Sequence, residues 1–178
     1  MMRRKALGGM GCSIAKALDV VGDPWTLLIL RDALVGVTRF ADFSDRLGIP
    51  RATLTSRLDL LCESGVMERE AYQDNPPRSA YVLTDKGRAL SPVVISLMQW
   101  GDQWLRDDDP PTTLVDADTG QPIDPVLVDR TTGVALEDLA VAAVGAVTQG
   151  LGLGGHAPVA APPQPSDTDP SGSAPRSR

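Results

Sequence analysis

Apolar positions recur at helical spacing through the first hundred residues, and turn-forming residues divide them into short segments. Ile14, Leu18 and Val21 fall on one side of the stretch from Cys12 to Val21, which predicts an amphipathic helix ended by Gly22. Asp23-Pro24 has the form of a helix start, with an acceptor side chain at the cap and proline at the first helical position. The helix it opens, Trp25 to Leu34, carries Leu27, Leu28, Ile29 and Leu30 in a row, so it is apolar on most faces and central. Gly36 stops it. Thr38 to Phe40 is short and extended, Ala41 to Leu47 makes a helix of one to two turns, and Leu47-Gly48-Ile49-Pro50 is a tight turn. The next helix runs from Pro50 to Ser64 with Gly65 as its stop. Leu54, Leu58 and Leu61 form one buried stripe on it.

A hairpin follows. Val66 to Tyr72 is its first strand, residues 73–77 are its turn-rich tip, and Ser79 to Leu83 is its second strand. Thr84 then caps a long helix running to about Arg106, with Leu90, Val93, Leu97, Gly101 and Trp104 along one face. Helix, helix, short helix, turn, helix, hairpin, long helix is the plan of a winged helix-turn-helix, mainly α with a β-hairpin wing. In that plan the second helix of the pair enters the major groove of DNA.

Beyond residue 106 the pattern changes. Asp118-Thr119-Gly120 and Thr131-Thr132-Gly133 are two similar turns, Val126 to Val128 reads as a strand, and Leu136 to Val147 as a short helix. From Gly150 onward Gly, Pro, Ala and Ser dominate, which predicts disorder. The expected organisation is a flexible basic arm over 1–11, the winged-helix and dimerisation domain over 12–106, a small extension over 107–154, and a disordered tail over 155–178.

Charge sharpens this division. The whole chain has a net charge of −6, which on its own argues against a polyanionic partner. Residues 1–106 nevertheless hold 14 Lys/Arg against 12 Asp/Glu, while residues 107–178 hold 3 against 11. A mildly basic front half followed by an acidic back half fits a nucleic-acid module with an acidic tail. The two cysteines, Cys12 and Cys62, make no disulfide framework. No apolar stretch is long enough to span a bilayer, and no apolar core follows the basic start at Met1 to Lys5, so a cytoplasmic location without membrane association is expected. Clustered histidines, a phosphate loop, a nucleophile motif and placed carboxylate pairs are all missing from the sequence, so no catalytic residue, metal or cofactor is assigned.

Several local motifs, in order, resemble the HxlR-type regulators, relatives of the MarR group. They are Cys12; residues 23–30 (DPWTLLIL); Gly36 with Arg39-Phe40; residues 54–58 (LTSRL); Leu61 with Gly65-Val66; Arg69 and Tyr72; Pro76-Pro77-Arg78; residues 81–84 (YVLT) with Gly87; and Trp100. The resemblance covers residues 12–106. Pro50, Asp23 and Ala80 depart from the family pattern, the first at the start of the recognition helix. The resemblance implies a homodimer on double-stranded DNA with paired half-sites, its interface formed by Ile14 and Leu18 against Leu90, Val93, Leu97, Gly101 and Trp104. It also implies that Cys12 can sense oxidants or electrophiles. Its place before a helix, one turn from Lys16, favours a thiolate. Some members carry a zinc-ribbon-like extension. Here Asp116, Asp118, Asp129 and Thr132 stand at the corresponding places, and zinc wants thiolate or imidazole ligands, so the element is read as a hairpin without metal.

The candidate DNA contacts are Arg39, Arg51, Ala52, Thr53, Thr55, Ser56, Arg57, Asn75 and Arg78. Three questions stay open. Arg39 either touches phosphate or pairs with an acid such as Asp42. The signal is either thiol oxidation or a small ligand near the dimer helices. The module, expected to act as a repressor, is alternatively a winged helix that binds protein. Cys62 is read as packing.

Overall fold

A computed structural model describes residues 11–75 and 77–141 of the chain. The expected arm up to residue 10, the tail, and residues 142–147 of the expected last helix lie outside these. The described elements are α1 (Ser13–Val21), α2 (Pro24–Leu34), α3 (Phe40–Leu47), α4 (Arg51–Glu63), β1 (Met67–Asp74), β2 (Pro77–Leu83), α5 (Asp85–Arg88) and α6 (Ser91–Trp104), with a 3-10 turn at Leu136–Asp138. They are a winged helix-turn-helix: mainly helical, with one antiparallel two-stranded wing. The chain divides into two compact units after Pro125. This boundary lies inside the extension expected over 107–154.

The core of the first unit is built where the apolar stripes converge. Ile29 and Leu30 of α2, Phe43 of α3, Leu54, Leu58 and Leu61 of α4, and Val66 and Met67 at the start of the wing are all essentially solvent-free. Ile49 in the turn between α3 and α4 closes the cluster. Gly48 makes that turn possible: it ends α3 at φ +59, where a side chain would be strained, and its N–H donates to the Ser44 carbonyl.

One buried acid sits in this apolar setting. Asp32 is fully buried on α2, and its carboxylate accepts from Arg31 at 2.9 Å and from Arg46 of α3 at 3.1 Å. Both arginines keep roughly half of their side chain in water. The pairing therefore ties α3 to α2 without sealing two ions from solvent, which limits its desolvation cost.

The structure corrects three sequence expectations. The long helix from Thr84 is two helices. Thr84 does cap, its hydroxyl accepting from the Gly87 N–H, but it caps only α5. Pro92 has no N–H to continue that ladder and instead occupies the first turn of α6, so the chain breaks at Ala89–Leu90. Leu90 therefore packs against the core rather than lining a helix face. Val126 to Val128 is not a strand: only Val128 makes an isolated bridge, to Ala135. No α-helix begins at Leu136, because the 3-10 turn there runs straight into an extended Leu139.

The extension is a local repeat. Asp116 accepts at one oxygen from the N–H groups of Asp118 and Thr119 and from the Thr119 hydroxyl. Asp129 accepts from the Thr131 N–H at one oxygen and from the Thr132 N–H and hydroxyl at the other. Gly120 and Gly133 follow at φ +68 and +73. Each turn is thus closed by its own Asp and Thr.

Candidate nucleic-acid interface

α4 divides into two faces. Leu54, Leu58 and Leu61 turn inward, while Arg51, Ala52, Thr55 and Ser56 are exposed and Thr53 and Arg57 are half-buried. Of the six candidates on this helix, four therefore lie on its open face. Arg57 is engaged elsewhere: its guanidinium meets Asp23 at 3.1 Å, and its buried Nε has no hydrogen-bond partner among the described residues. Asp23 also caps α2 by accepting from the Trp25 N–H at 3.0 Å. The recognition helix is thereby pinned to the start of α2.

The arginines of the first unit sort into two groups. Arg31, Arg46, Arg57, Arg69, Arg88 and Arg106 are each paired with an aspartate. Arg39, Arg51 and Arg78 have no carboxylate partner among the described residues. They are three of the candidates read from sequence, and all are exposed. Arg39 caps α3, and its guanidinium carbon lies 5.3 Å from the Tyr72 ring centroid, so it takes an aromatic partner rather than Asp42. Arg51 begins α4 and lies 5.0 Å over the Phe40 ring. Both stand at helix amino termini, where the backbone adds positive partial charge. Arg78 lies on β2 opposite Gln73, and Asn75 is exposed at the wing tip.

The wing is fixed to α4 by Arg69. It pairs with Asp59 of α4 and lies 5.5 Å over the Tyr81 ring. Tyr81, then Asp59, hold the guanidinium more firmly protonated than usual. Wing and recognition helix therefore share a side-chain connection as well as the core.

Cys12 and Cys62 are both free thiols. Cys12 caps α1, half-buried, with no side-chain cap hydrogen bond. Cys62 packs against the core, and burial, opposed by nearby Arg69, pushes its thiol above the ordinary value, as its packing role implies.

The residues expected at a dimer interface are mostly open. Ile14 is 70% exposed, Val93 52%, Leu97 49% and Trp104 51%. Leu18 is just exposed, and Gly101 is half-buried. Trp100 and Leu105, which sequence reasoning left out of this set, are exposed beside them. Helical spacing from Leu97 and Trp104 was the signal that could have included Trp100. Phe40, Tyr72 and Asp23 were likewise missed as partners, because nothing local announces a contact between separate elements.

No helix among the described residues is long and apolar enough to cross a membrane. This architecture, with an unpaired basic surface at the start of the recognition helix, defines a winged-helix DNA-binding transcription regulator rather than an enzyme. The HxlR-like helix-turn-helix model matches residues 20–109, and the chain belongs to that family. An uncharacterized HTH-type transcriptional regulator of Mycobacterium tuberculosis, Rv3095, is 47% identical over 119 residues, 66% of this chain and 75% of the relative. Among solved structures, the transcription-factor structure PA1607 superposes with a TM-score of 0.66 at 38% identity, covering 78% of this chain and 99% of its own. PA1374 from Pseudomonas aeruginosa gives 0.53 at 36% identity, covering 78% and 96%.

Proposed function

We propose that the protein is a homodimeric repressor that reads a paired half-site and releases it when Cys12 is oxidised. The observation that carries the DNA-facing part is the arginine arrangement. Every arginine of the first unit's described residues has an aspartate partner except Arg39 at the start of α3, Arg51 at the start of α4 and Arg78 on β2. In this reading Arg51, Ala52, Thr53, Thr55 and Ser56 meet the major groove and its phosphates, and Arg78 and Asn75 reach the backbone from the wing. Arg57 stays with Asp23 and sets the pose of the helix. The half-exposed apolar row on α6, with Ile14 and Leu18 on α1, supports pairing of two protomers. Their α4 helices would then enter successive major grooves about one helical turn, roughly 34–36 Å, apart.

Cys12 stands at the start of α1, the helix that carries Ile14 and Leu18. An oxidant such as diamide takes two electrons and two protons from the Cys12 thiol and a second thiol, joining the sulfurs as a disulfide and itself becoming the hydrazine. The bridge alters the way α1 enters the interface and so the spacing of the two reading heads. Such coupling requires that the oxidised thiol favour one of two quaternary states.

The test is a gel shift on the intergenic DNA upstream of the protein's own gene, comparing wild type with Cys12→Ser, reduced and diamide-treated. Wild type that binds and lets go on oxidation, while Cys12→Ser stays bound, supports the proposal. Binding by both under all conditions moves the signal to a small ligand. No binding to any fragment favours the protein-binding alternative.

A further inference from the structure

One wing residue is accounted for neither by the core nor by the DNA-facing set. β1 and β2 pair residue for residue from Met67 opposite Leu83 to Ala71 opposite Ser79, and resume at Gln73 opposite Arg78. Tyr72 is therefore the extra residue of a β-bulge. A bulge breaks the alternation of strand faces and re-aims the side chain at that point. Burial does not explain this one, since Tyr72 stays 46% exposed. What its ring meets is the Arg39 guanidinium. The backbone around Arg39 is held as well: Arg39 bridges Ala80, and the Tyr81 N–H donates to the Thr38 carbonyl at 2.7 Å. Arg39 is thus anchored at both ends, its main chain on β2 and its head group on β1.

We infer that the bulged Tyr72 is a positioning residue that presets Arg39 as a phosphate contact and makes the wing and the helix-turn-helix engage DNA as one piece. The inference rests on the reading that the amino-terminal ends of α3 and α4 face DNA. A free arginine gives up much rotamer freedom when it grips a phosphate, whereas one already stacked has given it up beforehand. Stacking on a ring face also leaves the N–H fork unspent, because the attraction comes from the ring's charge distribution and not from an acceptor. A carboxylate would hold the side chain equally well but would occupy the fork and cancel its charge. That is the situation of Arg57 on Asp23 and of Arg46 on Asp32.

The experiment is a titration of a labelled mixed-sequence DNA duplex by the full chain at several salt concentrations. The variants are Arg39→Ala, Tyr72→Leu, Tyr72→Phe, Arg51→Ala and the Arg39→Ala/Tyr72→Leu double. Arg39→Ala is expected to weaken binding and to lower the salt slope by roughly one phosphate contact per protomer. Tyr72→Leu is expected to weaken binding about three-fold per protomer with the slope kept. Tyr72→Phe, which retains the ring and the fold, is expected to bind like wild type, and Tyr72→Leu is expected to cost nothing further once Arg39 is gone. Equal losses from Tyr72→Leu in both backgrounds, or a Tyr72→Phe as weak as Tyr72→Leu, overturn the inference. If Arg51→Ala weakens binding while Arg39→Ala changes neither affinity nor slope, the inference fails and the DNA-facing surface stands. If neither arginine matters, the surface itself is misplaced and the inference falls with it.

Discussion

Asp23 joins two elements with one carboxylate, and removing it gives a graded prediction. One oxygen accepts from the Trp25 N–H, capping α2, and the other faces the Arg57 guanidinium. Loss of a cap costs about 1 kcal/mol. An ion pair contributes about 0–1 kcal/mol when fully exposed. Here only 28% of the Arg57 side chain and 19% of the Asp23 side chain remain exposed, which places the pair near the upper end, about 1 kcal/mol. Asp23→Ala should therefore destabilise the protein by about 2 kcal/mol. Asp23→Asn keeps an acceptor at the cap and loses the charge, for about 1 kcal/mol. Arg57→Ala should also cost about 1 kcal/mol, and the Asp23→Ala/Arg57→Ala double should cost less than the two singles together by about 1 kcal/mol. Urea unfolding followed by tryptophan fluorescence reads all four variants. Protein concentration must be fixed, because self-association adds to apparent stability. Strict additivity of the singles, or an Asn variant as damaging as Ala, would refute the claim that the pair contributes beyond the cap.

Three other outcomes are expected. Leu58→Ala removes a fully buried side chain from the inner face of α4 and should cost about 2–5 kcal/mol in the same unfolding assay, against under about 0.5 for exposed Thr55→Ala. Gly87→Ala would place a Cβ 2.2 Å from the Val66 carbonyl oxygen, a backbone atom that cannot swing away, so a lowered melting temperature is expected. Asp116 is held below the usual carboxylate range, chiefly by the Thr119 hydroxyl and N–H. A carboxyl depressed in this way stabilises its turn above the unfolded pKa and loses that contribution as pH falls through the folded value. Thr119→Val should raise the Asp116 midpoint in an NMR titration and leave Asp129 unchanged.

Much of the architecture was legible in the sequence because it is announced locally. Asp23-Pro24, Gly48, Gly65 and Thr84 mark element ends by short-range chemistry, and the Leu54, Leu58 and Leu61 stripe identifies the inner face of α4. The break before α6 is not legible in the sequence because Pro92 looks like a kink inside a helix and is in fact in the first turn of a new one. Leu90, just before it, belongs to the core and not to a helix face for the same reason. In the extension, two turn glycines were visible, but Val- and Leu-rich residues between and after them suggested a strand and a helix, and side-chain-closed turns dominate instead. The contacts at the candidate site were the least legible. Arg39, Arg51 and Arg57 look alike in sequence, and what separates them is which side chain from another element lies opposite: a ring for the first two, a carboxylate for the third.

The two-sided character of α4 bears on how such a protein changes over time. Leu54, Leu58 and Leu61 hold the helix in the core and Arg57 ties it to Asp23, whereas Ala52, Thr55 and Ser56 are exposed. Mutational drift at those three positions is nearly free of stability cost, so a duplicated copy can explore new target sequences while its scaffold stays intact. Half-buried Thr53 and Arg57 lack that freedom, and lineages that diverge in operator preference should vary at the first three positions before these two.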